Sequence, residues 1–253
     1  MEPLRATDPE KLGDWVLTAR LGEGASGTIF LGVRGVAGSQ QAAIKLIRDE
    51  GFLDNNSKEN LQNEVDALSM LEDPYIAKLV EWNLEGNELW IATEFVNGPT
   101  LDTTLRQTKS PLNELVWFQL AENIFHALRT IHSKRIIHRD IKPSNIILGD
   151  TGTKLIDFGI SHIPEKTKYG QPGEFEGSVL FSAPENFSRK NAFEMDVFST
   201  AATLAFAGKL KSVWQGTEET QITESMRKDE PDLEGLTPLQ KEFLKPLFET
   251  CVQ

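Results

Sequence analysis

In the first hundred residues, apolar and polar positions alternate in several short runs, the pattern of strands with one buried face. Trp15-Val16-Leu17-Thr18-Ala19-Arg20-Leu21 is the first such run; 28–33 and 42–47 follow, each bounded by Gly or polar residues, and together they predict a three-strand antiparallel meander. The spacing then changes. Leu61, Val65, Leu68 and Leu71 recur at helical intervals after Ser57, a suitable N-cap, until Asp73-Pro74 stops the helix. Two further strands are expected over 79–83 and 89–95, joined by a turn at Glu85-Gly86-Asn87. Residues 1–14, with Pro3 and Pro9, read as a loose leader. Beyond Asn97-Gly98-Pro99 the pattern becomes mostly helical, with long amphipathic stretches over 112–133, 195–207 and 238–251. The fold class is therefore α+β. A five-stranded antiparallel sheet with one main helix (15–96) is linked by a Gly-Pro connector to a larger helical half (97–253), and a cleft between the two is the default ligand site.

Composition narrows the function classes. The 253 residues are enough for a sizeable core, and 26 Lys+Arg against 38 Asp+Glu give a net charge of −12, which argues against a nucleic-acid or anionic-membrane surface at whole-chain level. No apolar run approaches the ~18 residues of a membrane span, and the first dozen residues lack a signal-peptide pattern. A cytoplasmic protein is expected. The single cysteine, Cys251, has no internal disulfide partner, and the four histidines are too scattered for a metal site.

Function must then come from local motifs. Gly22-Glu23-Gly24-Ala25-Ser26-Gly27 lies between two strands, whereas a dinucleotide fingerprint needs its glycines between a strand and a helix. Backbone N–H groups without a Cβ in the way suit a loop covering phosphates, although a Gly-rich hairpin with no ligand has the same pattern. Ala43-Ile44-Lys45 puts a cation in an apolar strand, where it needs a partner or an anion unless it snorkels at an edge. Glu64 lies on the inward stripe of the following helix and can pair with Lys45; Glu59 and Asp66 fit that stripe less well. His138-Arg139-Asp140-Ile141-Lys142-Pro143-Ser144-Asn145 follows the long helix, Asp157-Phe158-Gly159 follows a short apolar strand, and Ala183-Pro184-Glu185 closes a polar loop.

With these motifs in this order, the sequence from Trp15 onward resembles a eukaryotic-type serine/threonine protein kinase catalytic domain, which implies a bilobal protein-kinase fold. By that resemblance the loop with Gly22, Gly24 and Gly27 covers the phosphates of ATP, Lys45 holds the α- and β-phosphates, and Glu64 positions Lys45. Asp140 accepts the substrate hydroxyl proton, Lys142 contacts the transferring phosphate as in the serine/threonine class, and Asn145 and Asp157 hold magnesium. Thr93 backs the adenine pocket, 94–96 (Glu94, Val96) form the hinge, and Ile29, Ala43 and Ile147 sandwich the base. Leu68, Leu79, His138 and Phe158 match a stacked column, and Asp196 the buried aspartate that holds the catalytic loop's backbone. His126, His132 and His162 are expected to be packing residues.

The resemblance implies phosphoryl transfer from ATP with Mg2+ to serine or threonine hydroxyls of a protein substrate, autophosphorylation included; a pseudokinase-like binding module and an aminoglycoside-type small-molecule kinase are the alternatives. Departures are visible. Ala201 stands where the family has glycine, Gly177-Ser178 and Val179 replace the usual substrate-loop residues, and no hydroxyl residue occurs in 171–176, so either Glu174 or Glu176 pairs with Arg139 or both glutamates are solvated. The arginine that usually meets the residue matching Glu185 is missing. Leu239, Phe243, Leu244, Leu247, Phe248 and Val252 crowd the last helix, so a C-terminal extension or a second copy of the chain (a homo-oligomer) is expected to cover it, against a self-sufficient shortened domain.

Overall fold

The computed structural model describes residues 1–24, 27–47, 55–86, 88–150, 152–158, 179–183 and 193–249, with backbone alone for 55–60. The alternating runs form one antiparallel sheet: β1 (Lys11–Leu12), β2 (Trp15–Gly24), β3 (Gly27–Arg34), β4 (Gln40–Ile47), β5 (Leu79–Asn83) and β6 (Trp90–Glu94), in the order β1-β2-β3-β4-β6-β5. Between β4 and β5 comes α1 (Asn55–Ser69). Ser57, expected at its N-cap, therefore lies inside the helix.

The sheet has six strands where five were expected, and the sixth comes from the segment read as a loose leader. The reason is burial. Trp15, Leu17, Phe30, Ala42, Ile44, Trp90 and Ala92 share the outer face, and Leu12, fully buried, and Leu4 pack on that cluster. Covering this apolar face favours ordering of the segment. Glu2 adds two backbone hydrogen bonds to Arg20, of 2.8 and 2.9 Å. At the far edge, Arg34 lies 4.2 Å over the ring of Trp15, and Glu81 accepts from the guanidinium and the indole at 2.5 and 2.9 Å.

After the connector come α2 (Leu101–Thr108), α3 (Glu114–Ser133), the hairpin β7 (Ile146–Gly149) with β8 (Gly152–Leu155), then α4 (Glu194–Lys209), α5 (Glu219–Lys228) and α6 (Pro238–Glu249). Thr100 and Asn113 cap α2 and α3 by accepting from the backbone N–H groups of Thr103 and Val116 at 3.1 and 3.0 Å. None of the helices in the described residues is long and apolar enough to cross a membrane.

The core of the helical part is built on α4, whose Phe198, Ala201, Leu204, Ala205 and Ala207 are fully buried. Ala201 fits because the helix is enclosed on all sides and small side chains let its neighbours approach. The Trp117 indole on α3 donates to the carbonyl of Leu204 at 2.7 Å. Most of the apolar surface of α6 is covered by this chain itself: Leu244 and Phe248 are buried, Phe243 meets the rings of Trp117, Phe118 and Phe125, and Phe248 those of Phe198 and Trp214. Leu239 stays exposed. Val252 and Cys251, like Pro184 and Glu185, lie outside the described residues.

The two parts meet through backbone hydrogen bonds that position the cleft. Ala77 N–H donates to Leu155 O at 3.0 Å and Leu155 N–H to Tyr75 O at 2.8 Å, while Leu148 N–H donates to Pro99 O at 2.9 Å. At Gly98, φ is 154° and an added Cβ would lie 2.4 Å from Leu148 O, so the connector can run this close to β7 only with glycine there.

Candidate active site

The register of β3, β4 and β6 lines one face of the sheet with the expected nucleotide residues. Ile29 lies opposite Lys45, Ala43 opposite Thr93 and Gly22 opposite Ile29. Since side chains alternate along a strand, Ile29, Ala43, Lys45 and Thr93 share the face turned toward the helical part. Val96 is buried at the connector, and Ile147 on β7 bridges to Thr100 just beyond it.

The three glycines of the loop differ in their surroundings. A Cβ on Gly22 or Gly24 would meet none of the described residues within 4 Å, whereas one on Gly27 would fall 2.1 Å from the Leu46 carbonyl oxygen, at a φ of 149°. Gly27 is therefore required by the packing of β3 on β4, while Gly22 and Gly24 leave open space above the cleft.

Lys45, on the same face of the sheet as Ile29, meets the segment after β8. Its ammonium lies 3.0 Å from Asp157 Oδ1, an ion pair that joins β4 to the segment after β8. Glu64, the partner expected from the sequence, is buried on α1 and close enough for its charge to act on Lys45, while the contact ion pair in the described residues is with Asp157. Helical spacing put Glu64 on the correct face of α1 and could not set how far the helix stands from β4. Burial opposes the Lys45 charge, yet Asp157, Glu64 and Asp140 together hold it above the ordinary lysine range. Burial pushes the Glu64 carboxyl up, against the pull of Lys45.

Below this pair lies the loop 138–145. Asp140 Oδ2 accepts from Lys142 Nζ at 2.7 Å and from Asn145 Nδ2 at 2.8 Å, and the same amide also donates to Asp140 O at 2.9 Å. Pro143 starts the short 3-10 turn 143–145 that brings Asn145 back to Asp140. Underneath, Asp196 at the start of α4 is fully buried and accepts from the backbone N–H groups of His138 at 2.9 Å and Arg139 at 2.8 Å, with His132 Nε2 2.8 Å away. Arg139 in this loop, at φ 68°, and Asp157 above it, at φ 61°, hold left-handed backbone; each such non-glycine conformation costs of order 1 kcal/mol and persists because its surroundings fix it.

His138 is fully buried, its ring 4.5 Å from that of Phe158, and its Nδ1 accepts from Asp140 N–H at 3.3 Å. Burial pushes this imidazole below its ordinary value, against the opposing charges of Asp196, Asp140 and Asp157, which favours the neutral ring in the folded chain. The unfolded chain takes up that proton near pH ~6.5 and the folded chain does not, so stability is lost as pH falls below ~6.5, by up to ~1.4 kcal/mol per pH unit until the folded value is reached. Unfolding midpoints between pH 7.5 and 5.5 are expected to fall more steeply in the wild type than in His138→Tyr; equal slopes would contradict a neutral buried ring.

Two supports escaped the sequence reading. Thr203, seven residues after Asp196 on α4, donates to Ile141 O at 3.2 Å and so steadies the loop from the same helix. Lys154 on β8, almost inaccessible, lies 2.9 Å from Glu94 Oε2 and ties the end of β6 to the floor of the cleft. A polar residue in an otherwise buried helix face was the available signal for Thr203; Lys154 had none. Gly159, His162, Glu174, Glu176, Gly177 and Ser178 lie outside the described residues.

The arrangement sets a braced carboxylate, a buried ammonium and a second carboxylate around one cleft under a glycine loop. Comparison with known proteins agrees with it. Residues 15–251 match the family model described as protein kinase domain. The Streptomyces griseus protein named serine/threonine-protein kinase AfsK is 31% identical over the whole chain, which spans 31% of that protein. The Thermomonospora curvata protein named probable serine/threonine-protein kinase PkwA is 28% identical over 98% of the chain and 33% of its own length, and Xenopus laevis serine/threonine-protein kinase ULK3 is 26% identical over 95% of the chain and 52% of its own. The chain thus spans about a third of the length of the first two. From these matches and the geometry above, the chain belongs to the protein kinase domain family.

Proposed function

We propose that this chain transfers the terminal phosphoryl group of ATP, with magnesium, to serine or threonine hydroxyls of protein substrates, itself included. The observation that carries this reading is Asp140 held at 2.7 and 2.8 Å by Lys142 and Asn145, close enough to Lys45 for its charge to act on that ammonium. Phosphoryl transfer asks for positioning and charge neutralisation more than covalent chemistry, and these residues supply both.

In this reading Asp140 orients the acceptor hydroxyl and takes its proton. Its side-chain contacts in the described residues fall on Oδ2, which leaves Oδ1 for that task. Lys142, already beside Asp140, offsets charge on the moving phosphoryl group. Lys45 faces the phosphates from the sheet, and the open space at Gly22 and Gly24 admits them under the loop. Thr93, Glu94 and Val96 border the base, with Ile29 and Ala43 above it and Ile147 below.

The donor set suits magnesium. Asn145 spends its amide N–H groups on Asp140, leaving its carbonyl oxygen, and Asp157 keeps about a third of its side chain exposed (32%). Magnesium takes oxygen ligands, few of them from protein, and completes its shell with water and phosphate. Bound there, it would neutralise charge on the phosphates.

Nucleotide titration tests this reading. The wild-type chain is expected to bind ATP in the presence of magnesium, and Asp157→Asn to weaken that binding at least ~10-fold, about 1.4 kcal/mol. A wild type that binds no nucleotide, or an Asp157→Asn variant that binds as well as the wild type, would overturn it.

A further inference from the structure

The residues ahead of Trp15 do more than cover the sheet. Arg5, Ala6, Thr7 and Asp8 form a turn in which Asp8 N–H donates to Arg5 O at 3.0 Å and Arg5 N–H to Asp8 Oδ2 at 2.7 Å. The Asp8 carboxylate grips the guanidinium of Arg20 on β2 with both oxygens, at 2.5 and 2.7 Å, in a nearly inaccessible pair. The third nitrogen of Arg20 donates to Glu23 Oε2 at 3.0 Å, and Arg5 Nη1 lies 3.1 Å from that same oxygen. Glu23 sits between Gly22 and Gly24, the two positions with open space around them.

We propose that this network, Asp8–Arg20–Glu23–Arg5, is a brace by which the amino-terminal segment fixes the glycine loop over the cleft and neutralises the loop's one carboxylate, so that Arg5 and Arg20 are positioning residues for nucleotide binding. The proposal rests on the reading of the cleft as an ATP site. Two effects work together. A loop held by a fork anchored in the sheet has less freedom to lose when a ligand arrives. A carboxylate paired with two guanidinium groups repels a polyphosphate less than an unpaired one. Arg20 is well placed as the anchor, because its backbone is bonded to Glu2 on one side and paired with Phe30 on the other. Arg5 is the separable member: it is more than half exposed, so its replacement leaves the buried pair intact.

Hydrogen exchange of the nucleotide-free chain and titration with magnesium and ATP test the brace together. Arg5→Ala is expected to speed exchange at the amides of Gly22, Glu23 and Gly24 by about threefold or more and to weaken nucleotide binding by about 3–10-fold. Turnover at saturating ATP should stay within about twofold, and Arg5→Lys should restore affinity. In a Glu23→Ala background, Arg5→Ala should change affinity by less than about twofold, since a coupled pair gives a non-additive cycle. An Arg5→Ala variant with wild-type exchange and affinity overturns the brace. So does an affinity loss that persists in the Glu23→Ala background, which would mark a simple field effect of the charge. A wild type that binds no nucleotide defeats the ATP reading and with it the affinity claim, while the exchange result still reports whether the loop is held.

Discussion

Asp140→Asn is expected to slow phosphoryl transfer by at least about a hundredfold, ~2.7 kcal/mol of barrier, with nucleotide affinity unchanged. Asparagine has nearly the shape of aspartate, so Lys142 and Asn145 lose little of their scaffold, but the amide cannot take the acceptor's proton and no longer balances the Lys142 charge. Initial rates at saturating ATP, with affinity measured in parallel, provide the check. Turnover within about tenfold of wild type would remove Asp140 from its proposed role. A parallel loss of nucleotide binding would mean that Asp140 acts on the nucleotide and not on the acceptor.

The second large effect concerns stability. Asp196→Ala is expected to cost about 3–5 kcal/mol, the range for removing one member of a buried charged network, and to lower the thermal midpoint by about 10 °C. Asp196 accepts from His138 N–H and Arg139 N–H, and both donors would be left without it in a site closed to water. Arg139 also holds left-handed backbone, so the loop has strain to release once its anchor is gone. Loss of transfer activity should accompany the loss of stability. Calorimetric scans of wild type and variant decide it, and a shift below about 3 °C would show that the loop is held by other contacts.

What the sequence made legible follows from how local each signal is. The strands of the sheet could be read because alternation is a property of neighbouring residues, and the observed β5 has the bounds expected of it. The ordered motifs fixed where Asp140, Asn145 and Asp157 would stand, and Asp196, at the start of a helix, came from the family resemblance. Distances between elements were not legible. The stripe on α1 put Glu64 inward, but the direct contact of Lys45 with Asp157, 112 residues away, has no local signal. Residues 1–14 failed for a different reason. A two-residue strand has no period to detect, and Asp8 and Arg20 are twelve residues apart with nothing local to join them. Leu4 and Leu12 were the available hint, since two leucines in a polar leader need somewhere to pack.

The same limit applies to the loop glycines. The pattern groups Gly22, Gly24 and Gly27, but only the approach of Gly27 to the Leu46 carbonyl shows that one of them is held by packing. A substitution at Gly27 would disturb the sheet, while one at Gly22 or Gly24 would act on the space above the cleft.

Movement of phosphate from ATP to protein hydroxyls at this site is the proposed activity. The most direct test incubates the chain with magnesium and ATP labelled in its terminal phosphate, alone, with a generic basic protein and with a panel of small alcohols, followed by peptide mapping. The account predicts labelled phosphoserine or phosphothreonine on protein, dependent on magnesium and lost in Asp140→Asn. Label confined to small alcohols, or no transfer from a chain that binds nucleotide, would contradict it.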